Sequence, residues 1–242
     1  MGELKKILEL EGICFSYETG KPVLDNLTFA LSKGEKLGLI GYNGSGKTTL
    51  MHIIMGLIQP SSGAIRLAGK PVVTKKDFLE VRRRIGFLFQ NADDQLFSPT
   101  VLEDVAFGPL NHGTSPKKAR EMAMETLAQL NLQGFENRIT HKLSGGEKKL
   151  VSLATVLVMK PDALLLDEPT TGLDEDARFR IEALLNHLDI STIIVSHEYD
   201  FLARTTLKIY SMKAGRIVFD GDASTLHTHL HRHPAAGYPH DH

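Results

Sequence analysis

The sequence has very little cysteine and no long apolar stretch. One cysteine, Cys14, in 242 residues excludes an internal disulfide framework and is typical of proteins of a reducing cytosol. The longest apolar candidate, residues 150–159, is far shorter than the ~20 residues that a membrane-spanning helix needs. The first residues are polar and do not resemble a signal peptide. We therefore expect a soluble protein, in which any membrane role comes through a partner.

Net charge is nearly absent as well, because 28 basic residues oppose 29 acidic ones and leave a formal charge of -1. Proteins whose affinity for nucleic acid comes from phosphate contacts carry a positive excess, so this class is disfavoured. The 42% of hydrophobic residues and 24% of charged residues exclude a disordered chain and allow a full core. The length fits one α/β domain, or one domain with an inserted subdomain.

One stretch, GYNGSGKT at residues 41–48, fits the phosphate-loop pattern G-x-x-x-x-G-K-[ST]. The apolar residues 37–40 before it suit a buried strand, and residues 49–55 after it suit a buried helix. Backbone N–H groups of such a loop surround a polyphosphate, which the helix N-terminus also attracts. Lys47 would neutralise the outer phosphates, and the Thr48 hydroxyl would be a Mg²⁺ ligand. The predicted nucleotide-binding residues of this stretch are Asn43, Gly44, Ser45, Gly46, Lys47, Thr48 and Thr49.

Short apolar runs between turn residues predict a series of strands. Residues 100–159 differ, since Ser115 and Pro116 suit a helix start and residues 117–130 have the pattern of an amphipathic helix. We therefore expect an α/β core with a helical subdomain inserted at about residues 91–160. The predicted strands cover residues 8–15, 27–31, 37–40, 64–67, 85–89, 163–166, 192–195, 207–210 and 217–219.

Two carboxylates, Asp167 and Glu168, end the apolar run at residues 163–166. At the carboxyl edge of a parallel sheet they would lie beside the phosphate loop. Asp167 would hold Mg²⁺ through water, and Glu168 would polarise the attacking water as a general base. An ordinary strand end at a surface turn is the alternative, which the presence of the phosphate loop disfavours.

The stretch LSGGE at residues 143–147 has the spacing of a capping box formed by Ser144 and Glu147. Gly145 and Gly146 would leave the first-turn N–H groups open to an anion, although a well-capped helix with no further role is the alternative. The stretch follows the phosphate loop by about 100 residues and precedes the acidic pair by about 20. These motifs in this order resemble those of the ATP-binding-cassette (ABC) family.

The resemblance extends from residue 8 to about residue 226 and implies further roles. Tyr17 matches the aromatic residue that stacks on adenine, and Gln90 the glutamine that meets Mg²⁺ or water between the core and the helical subdomain. Asp174 belongs to a loop through which two cassettes communicate. His197 matches the histidine that contacts the γ-phosphate; by itself, a histidine at a strand end is more often structural.

The family fold implied is a P-loop nucleotide hydrolase with a RecA-like α/β core, an antiparallel β subdomain and the inserted helical subdomain. Two cassettes of the family bind two ATP molecules head to tail, so Ser144 and its glycines would contact the γ-phosphate held by Lys47 of the other subunit. ATP binding then closes the dimer and hydrolysis reopens it. Leu150 departs from the family, in which many members carry arginine; we expect a local packing change, and the ion-pairing partner of the helix stays open.

Residues 91–97 and 101–109 resemble the ATPases of energy-coupling-factor (ECF) importers, which take up vitamins and transition metals. In those ATPases this region helps form the groove for the coupling helices of a membrane scaffold protein. A polar loop followed by a helix start is the simpler alternative.

The end of the sequence is rich in histidine. In an extended chain the first four histidines, at residues 227, 229, 231 and 233, would point to one side. Neutral imidazole favours the binding of nickel, copper, zinc or cobalt. A disordered polar end or a cloning artefact would give the same composition. The histidines are His227, His229, His231, His233, His240 and His242.

These features predict an ABC ATPase domain at residues 1–226 with a histidine-rich tail at residues 227–242. The expected function is that of the ATPase of an ECF importer for cobalt or nickel at the cytoplasmic face of a prokaryotic membrane. The chain would act with ATP and Mg²⁺ as a homodimer or with a second cassette, bound to a transmembrane scaffold protein and a substrate-binding membrane protein. Alternatives are an ECF vitamin importer or another ABC transporter, a soluble cassette of translation or DNA repair, and a metal store or sensor.

Overall fold

The computed structural model describes residues 5–17 and 20–223, which form two β-sheets and the helices packed around them. The histidine-rich residues 227–242 lie outside the described part. The strands are β1 (Lys6–Phe15), β2 (Leu24–Ser32), β3 (Lys36–Ile40), β4 (Ser62–Leu67), β5 (Lys70–Pro71), β6 (Ile85–Leu88), β7 (Ala163–Asp167), β8 (Ser191–Val195), β9 (Lys208–Lys213) and β10 (Arg216–Asp222). The α-helices are α1 (Lys47–Ile54), α2 (Lys75–Arg84), α3 (Val101–Asn111), α4 (Pro116–Gln129), α5 (Gly145–Leu157), α6 (Glu175–His187) and α7 (Tyr199–Thr205).

The first sheet is antiparallel, with the strand order β2-β1-β4-β5. In its interior strand β1, successive side chains point to opposite faces of the sheet, and one of these faces is buried. Leu8 and Leu10 lie on the buried face and are fully buried. Leu10 lies opposite Phe29 of β2 and Ile65 of β4. These side chains join the apolar cluster that also contains Leu50 and other residues of α1.

The second sheet has the order β10-β9-β3-β8-β7-β6, and its strands from β9 to β6 are parallel. Every residue of β7 and β8 is buried, as expected for parallel strands covered on both faces. Because the strands are parallel, the carboxyl ends of β3, β8, β7 and β6 lie along one edge. After β3 the chain enters the phosphate loop, and after β8 it reaches His197. After β7 it continues to Glu168, and after β6 to Gln90.

Helices α3, α4 and α5 lie between β6 and β7 in the chain and share a second apolar cluster, which includes Val105, Ala123 and Val151. Leu150 is also buried in this cluster and contributes an apolar side chain to helix packing. The two sheets with these helices give the expected α/β fold of the cassette type.

Three helices, α2, α6 and α7, are absent from the sequence-based prediction. Helix α2 buries only Phe78 and Val81, so its apolar signal is weak, although Thr74 and Asp77 form a complete capping box at its start. Among the described residues, none of the helices is long and apolar enough to cross a membrane.

Candidate active site

The phosphate loop turns through two glycines in the left-handed region, Gly44 at φ 78° and Gly46 at φ 104°. A Cβ atom on Gly46 would lie 2.9 Å from the carbonyl oxygen of Val23, so both conformation and space require glycine there. Helix α1 begins directly after Gly46, and no described side chain caps its first turn. Its N-terminal N–H groups are therefore available to an anionic ligand.

The ammonium group of Lys47 is held over the phosphate loop. Its Nζ donates to the carbonyl oxygens of Gly41 at 2.7 Å and Tyr42 at 3.1 Å. Burial lowers the pKa of Lys47, and the negative charges of Glu168 and Asp167 oppose that shift. Lys47 is thus a largely desolvated cation that faces two acids, which suits it to a polyphosphate.

Asp167 ends β7 next to the loop, and its Oδ2 accepts a hydrogen bond from the Thr48 hydroxyl at 2.9 Å. Burial raises the pKa of this carboxyl, while the Thr48 hydrogen bond and the charge of Lys47 oppose the rise. A hydroxyl, a carboxylate and the nearby Gln90 amide are hard oxygen donors, so this donor set fits Mg²⁺.

Glu168 is buried and adopts a positive φ of 47°, which is uncommon for a residue with a side chain. Its Oε2 accepts from the Thr171 hydroxyl at 3.2 Å and from the His197 backbone N–H at 3.4 Å. Its Oε1 lies 3.0 Å from Nε2 of His197 but has no well-aligned donor among the described residues. Burial raises the pKa of Glu168, against the opposing effect of His197. A buried carboxylate with one oxygen that accepts no well-aligned hydrogen bond from the described residues has the properties of a general base.

These groups line one cavity of about 340 Å³. At its outer end the hydroxyl groups of Tyr17 and Thr49 lie 3.2 Å apart, and the ring of Tyr17 meets that of Phe15 edge-on. The hydroxyl of Ser45 is buried and has no partner within the described ranges, and Ser45 does not line this cavity. The predicted residues that the cavity brings together are Tyr17, Asn43, Gly44, Gly46, Lys47, Thr48, Thr49, Gln90, Asp167, Glu168 and His197.

Ser144, Gly145, Gly146 and Asp174 do not line this cavity. Ser144 forms the predicted capping box with Glu147 at the exposed start of α5. Asp174 caps α6, where its Oδ1 accepts from the backbone N–H of Ala177 at 2.8 Å.

The two glycines of α5 have different surroundings, although the sequence suggests one role for both. No described atom outside its own helix turn lies within 4 Å of a Cβ placed on Gly145. A Cβ on Gly146 would lie 2.7 Å from the Cβ of Ala177. Gly146 therefore allows the starts of α5 and α6 to pack closely, and Gly145 presents the open surface.

The sequence-based prediction misses Lys149, which is only 2% exposed. Its Nζ donates to the backbone carbonyl oxygens of Gln90 at 2.6 Å and Phe89 at 3.1 Å. Burial lowers its pKa to about 8, and the charges of Asp167 and Glu168 oppose the shift. The sequence feature that could have indicated the burial of Lys149 is its position in α5, directly before the buried residues Leu150 and Val151.

The fold and this cavity define a P-loop nucleotide hydrolase. The family model described as ABC transporter matches residues 24–171. The chain therefore belongs to the ABC transporter family of ATP-binding cassettes, and it is an ATPase.

Individual relatives agree with this assignment. A provisionally named ABC transporter ATP-binding protein of Nitratidesulfovibrio vulgaris is 51% identical over 98% of this chain and 89% of its own length. The energy-coupling factor transporter ATP-binding protein EcfA of Methanothermobacter thermautotrophicus is 40% identical over 89% of this chain and 70% of its own.

Solved structures show the same similarity. The structure of cbiO1 from Clostridium perfringens, part of the ABC transporter complex cbiONQ, aligns with a TM-score of 0.84 at 34% identity, over 93% of this chain and 92% of that one. A dimeric ATP-binding cassette bound to ADP and Pi in a post-hydrolysis state aligns with a TM-score of 0.79 at 27% identity, over 88% and 98% of the two chains.

The unequal surroundings of the two glycines predict unequal effects on stability. Gly146→Ala should lower the free energy of unfolding by about 1–3 kcal/mol, because its methyl group overlaps Ala177. Gly145→Ala is the matched control and should change it by less than about 0.5 kcal/mol. Urea denaturation followed by circular dichroism measures both values, and equal losses would contradict the assigned packing.

Proposed function

We propose that two cassettes, either two copies of this chain or this chain with a second cassette, close head to tail around two ATP molecules. The proposal rests on one observation. The cavity contains the phosphate loop, both acids, Gln90 and His197, whereas the exposed start of α5 lies outside it. Ser144 and Gly145 would then meet the nucleotide bound by the partner. The similarity to a dimeric cassette bound to ADP and Pi supports this arrangement.

The side chains of the cavity divide the chemistry between them. Lys47 and the N–H groups of α1 bind the outer phosphates, and Tyr17 supplies an aromatic surface for the base. Oε1 of Glu168 accepts a proton from the attacking water, while His197 holds the carboxylate and reaches the γ-phosphate. Thr48, Asp167 and Gln90 would hold Mg²⁺, which supplies positive charge to the phosphate oxygens.

Replacing Glu168 by glutamine should separate ATP binding from turnover. We expect Glu168→Gln to lower kcat by about 100-fold or more, since the amide cannot accept the proton. ATP affinity, measured by calorimetry, should remain, and light scattering should show a stabilised dimer in ATP. Lys47→Ala, as the control, should lose nucleotide binding. Robust turnover by Glu168→Gln would remove Glu168 as the base.

The membrane partner is proposed to bind an apolar groove on α3. The groove has a volume of about 490 Å³ and includes Phe107, which is 43% exposed, and Leu110, which is 42% exposed. The ring of Phe107 meets that of the exposed Phe97 edge-on, with centroids 4.6 Å apart. Adjacent exposed apolar side chains are typical of protein-binding surfaces. We assign the coupling helices of a transmembrane scaffold protein, which also carries a substrate-binding membrane protein, to this groove at the cytoplasmic face of the membrane.

A charge in this groove should release the scaffold without affecting the cavity. Phe107→Asp is expected to reduce co-purification with the co-expressed scaffold protein by about tenfold, because the carboxylate must be desolvated on docking. Phe179→Asp, at a residue of α6 that is 58% exposed, is the control. Both variants should bind ATP as the wild type does. Equal retention of the scaffold by Phe107→Asp and the wild type would contradict the assignment.

For the transported substrate we propose cobalt or nickel. The support is the similarity to EcfA and cbiO1, the resemblance of residues 91–109 to ECF ATPases, and the histidines at residues 227–242. Among the described residues there is no group of three or more His, Cys, Asp or Glu side chains that could hold a metal ion. The histidines of residues 227–242 are therefore the candidate ligands that we consider for a transition metal. An ECF importer of a vitamin is the alternative.

Removing the tail tests its part in metal transport. Truncation after Leu226 should leave ATP hydrolysis unchanged, because the cavity is formed by residues 17–197. Uptake of cobalt and nickel by cells that express the whole complex should fall, since the imidazole ligands are lost. The control replaces the six tail histidines by glutamine. Unchanged uptake in both variants would make the tail incidental, and uptake of a vitamin alone would overturn the metal assignment.

A further inference from the structure

The segment that carries Gln90 is attached to helix α5 by a buried lysine. Nζ of Lys149 donates to the backbone carbonyl oxygens of Phe89 and Gln90, at 3.1 and 2.6 Å. Farther along, the side chain of Gln95 donates to the backbone carbonyl oxygen of Ser152 at 2.8 Å and accepts from the backbone N–H of Phe89 at 3.2 Å. Residues 89–95 are thus held to α5 by Lys149 at their start and by Gln95 at their end.

The contact made by Lys149 differs from that of its neighbour. Lys148 reaches the same segment through Asp93 at 2.6 Å, but this aspartate side chain is 64% exposed. An exposed ion pair contributes little, usually under about 1 kcal/mol. Lys149 is buried, so its removal would leave the carbonyl oxygens of Phe89 and Gln90 without this donor.

Helix α5 also carries the start that is proposed to reach the second nucleotide. Ser144 caps this helix, and Lys149 lies on it little more than one turn later. A helix is stiff over this distance, so Lys149 connects Gln90 of one cavity to the Ser144 end that faces the other. Lys149 itself does not line the cavity.

We propose that Lys149 is a positioning residue that holds Gln90 in the cavity and makes it move together with the start of α5. The inference rests on the proposed function, because it assumes that Gln90 takes part in hydrolysis. Lys149 acts through the backbone of Gln90 and leaves the phosphate loop untouched. It should therefore affect turnover and leave ATP binding as it is.

The test measures kcat for ATP hydrolysis and Kd for ATP in the purified full chain. Lys149→Met, which keeps the length and loses the donor, should lower kcat by about tenfold while Kd changes less than about twofold. Lys149→Arg should restore most of the rate, because its guanidinium still donates. Lys148→Met is the matched control and should stay within about twofold of the wild type. If Lys149→Met fails to fold, as judged by thermal melting, Lys149→Leu, which also lacks a donor, takes its place with the same expectation.

A double variant identifies the route of the effect. In a Gln90→Ala background Lys149→Met should lower kcat no further, since residues that act as a unit are not additive. An additive loss, a parallel loss of ATP affinity, or full activity of Lys149→Met would each overturn the inference. If Gln90→Ala hydrolyses ATP at the wild-type rate, the proposed role of Gln90 fails and this inference fails with it. If Gln90→Ala is slow and Lys149→Met is not, only the inference on Lys149 fails.

Discussion

The site depends on one electrostatic constraint, which is the burial of Lys47 close to Asp167 and Glu168. All three side chains are less than 10% exposed, and each would be strongly destabilising by itself. Parallel strands bring them together, since β3 leads to the phosphate loop and β7 ends in the first acid. One lysine against two acids leaves no excess of positive charge, so a bound polyphosphate would also depend on the N–H groups of α1 and on Mg²⁺ held by Thr48, Asp167 and Gln90.

Backbone conformation fixes the second acid just as firmly. The positive φ of Glu168 has a typical cost of about 1–3 kcal/mol for a residue with a side chain. Its N–H donates to the carbonyl oxygen of Val195 at 2.9 Å, which continues the pairing of β7 and β8 past Asp167. Strand β8 also leads to His197. The backbone conformation of Glu168 therefore directs its carboxylate toward His197. The conformation therefore serves the position of the proposed base more than the stability of the strand.

Residues whose position is set by local pattern could be predicted from the sequence. The phosphate loop, the acids at the end of β7 and the capping box of Ser144 depend on neighbours within a few residues, and the structure has each where its motif places it. Helix α2 was missed because it packs only one narrow side. The burial of Lys149 and the contact of Gly146 with Ala177 depend on segments far away in the chain, which periodicity does not register. The groove was predicted only through a family resemblance.

Helices α1 and α5 are the reason for proposing that the site needs two chains. Both begin with glycine-rich turns, yet the start of α1 lies in the cavity while that of α5 faces outward beyond it. An anion that met both starts would have to lie between two chains. Closure of such a pair would pull on α5, and α5 is bonded through its own lysine to the segment of Gln90. Residues 91–97 lead from that segment to the groove on α3. A movement that begins at either nucleotide therefore has a continuous route, through covalent and hydrogen bonds, to the surface assigned to the membrane partner.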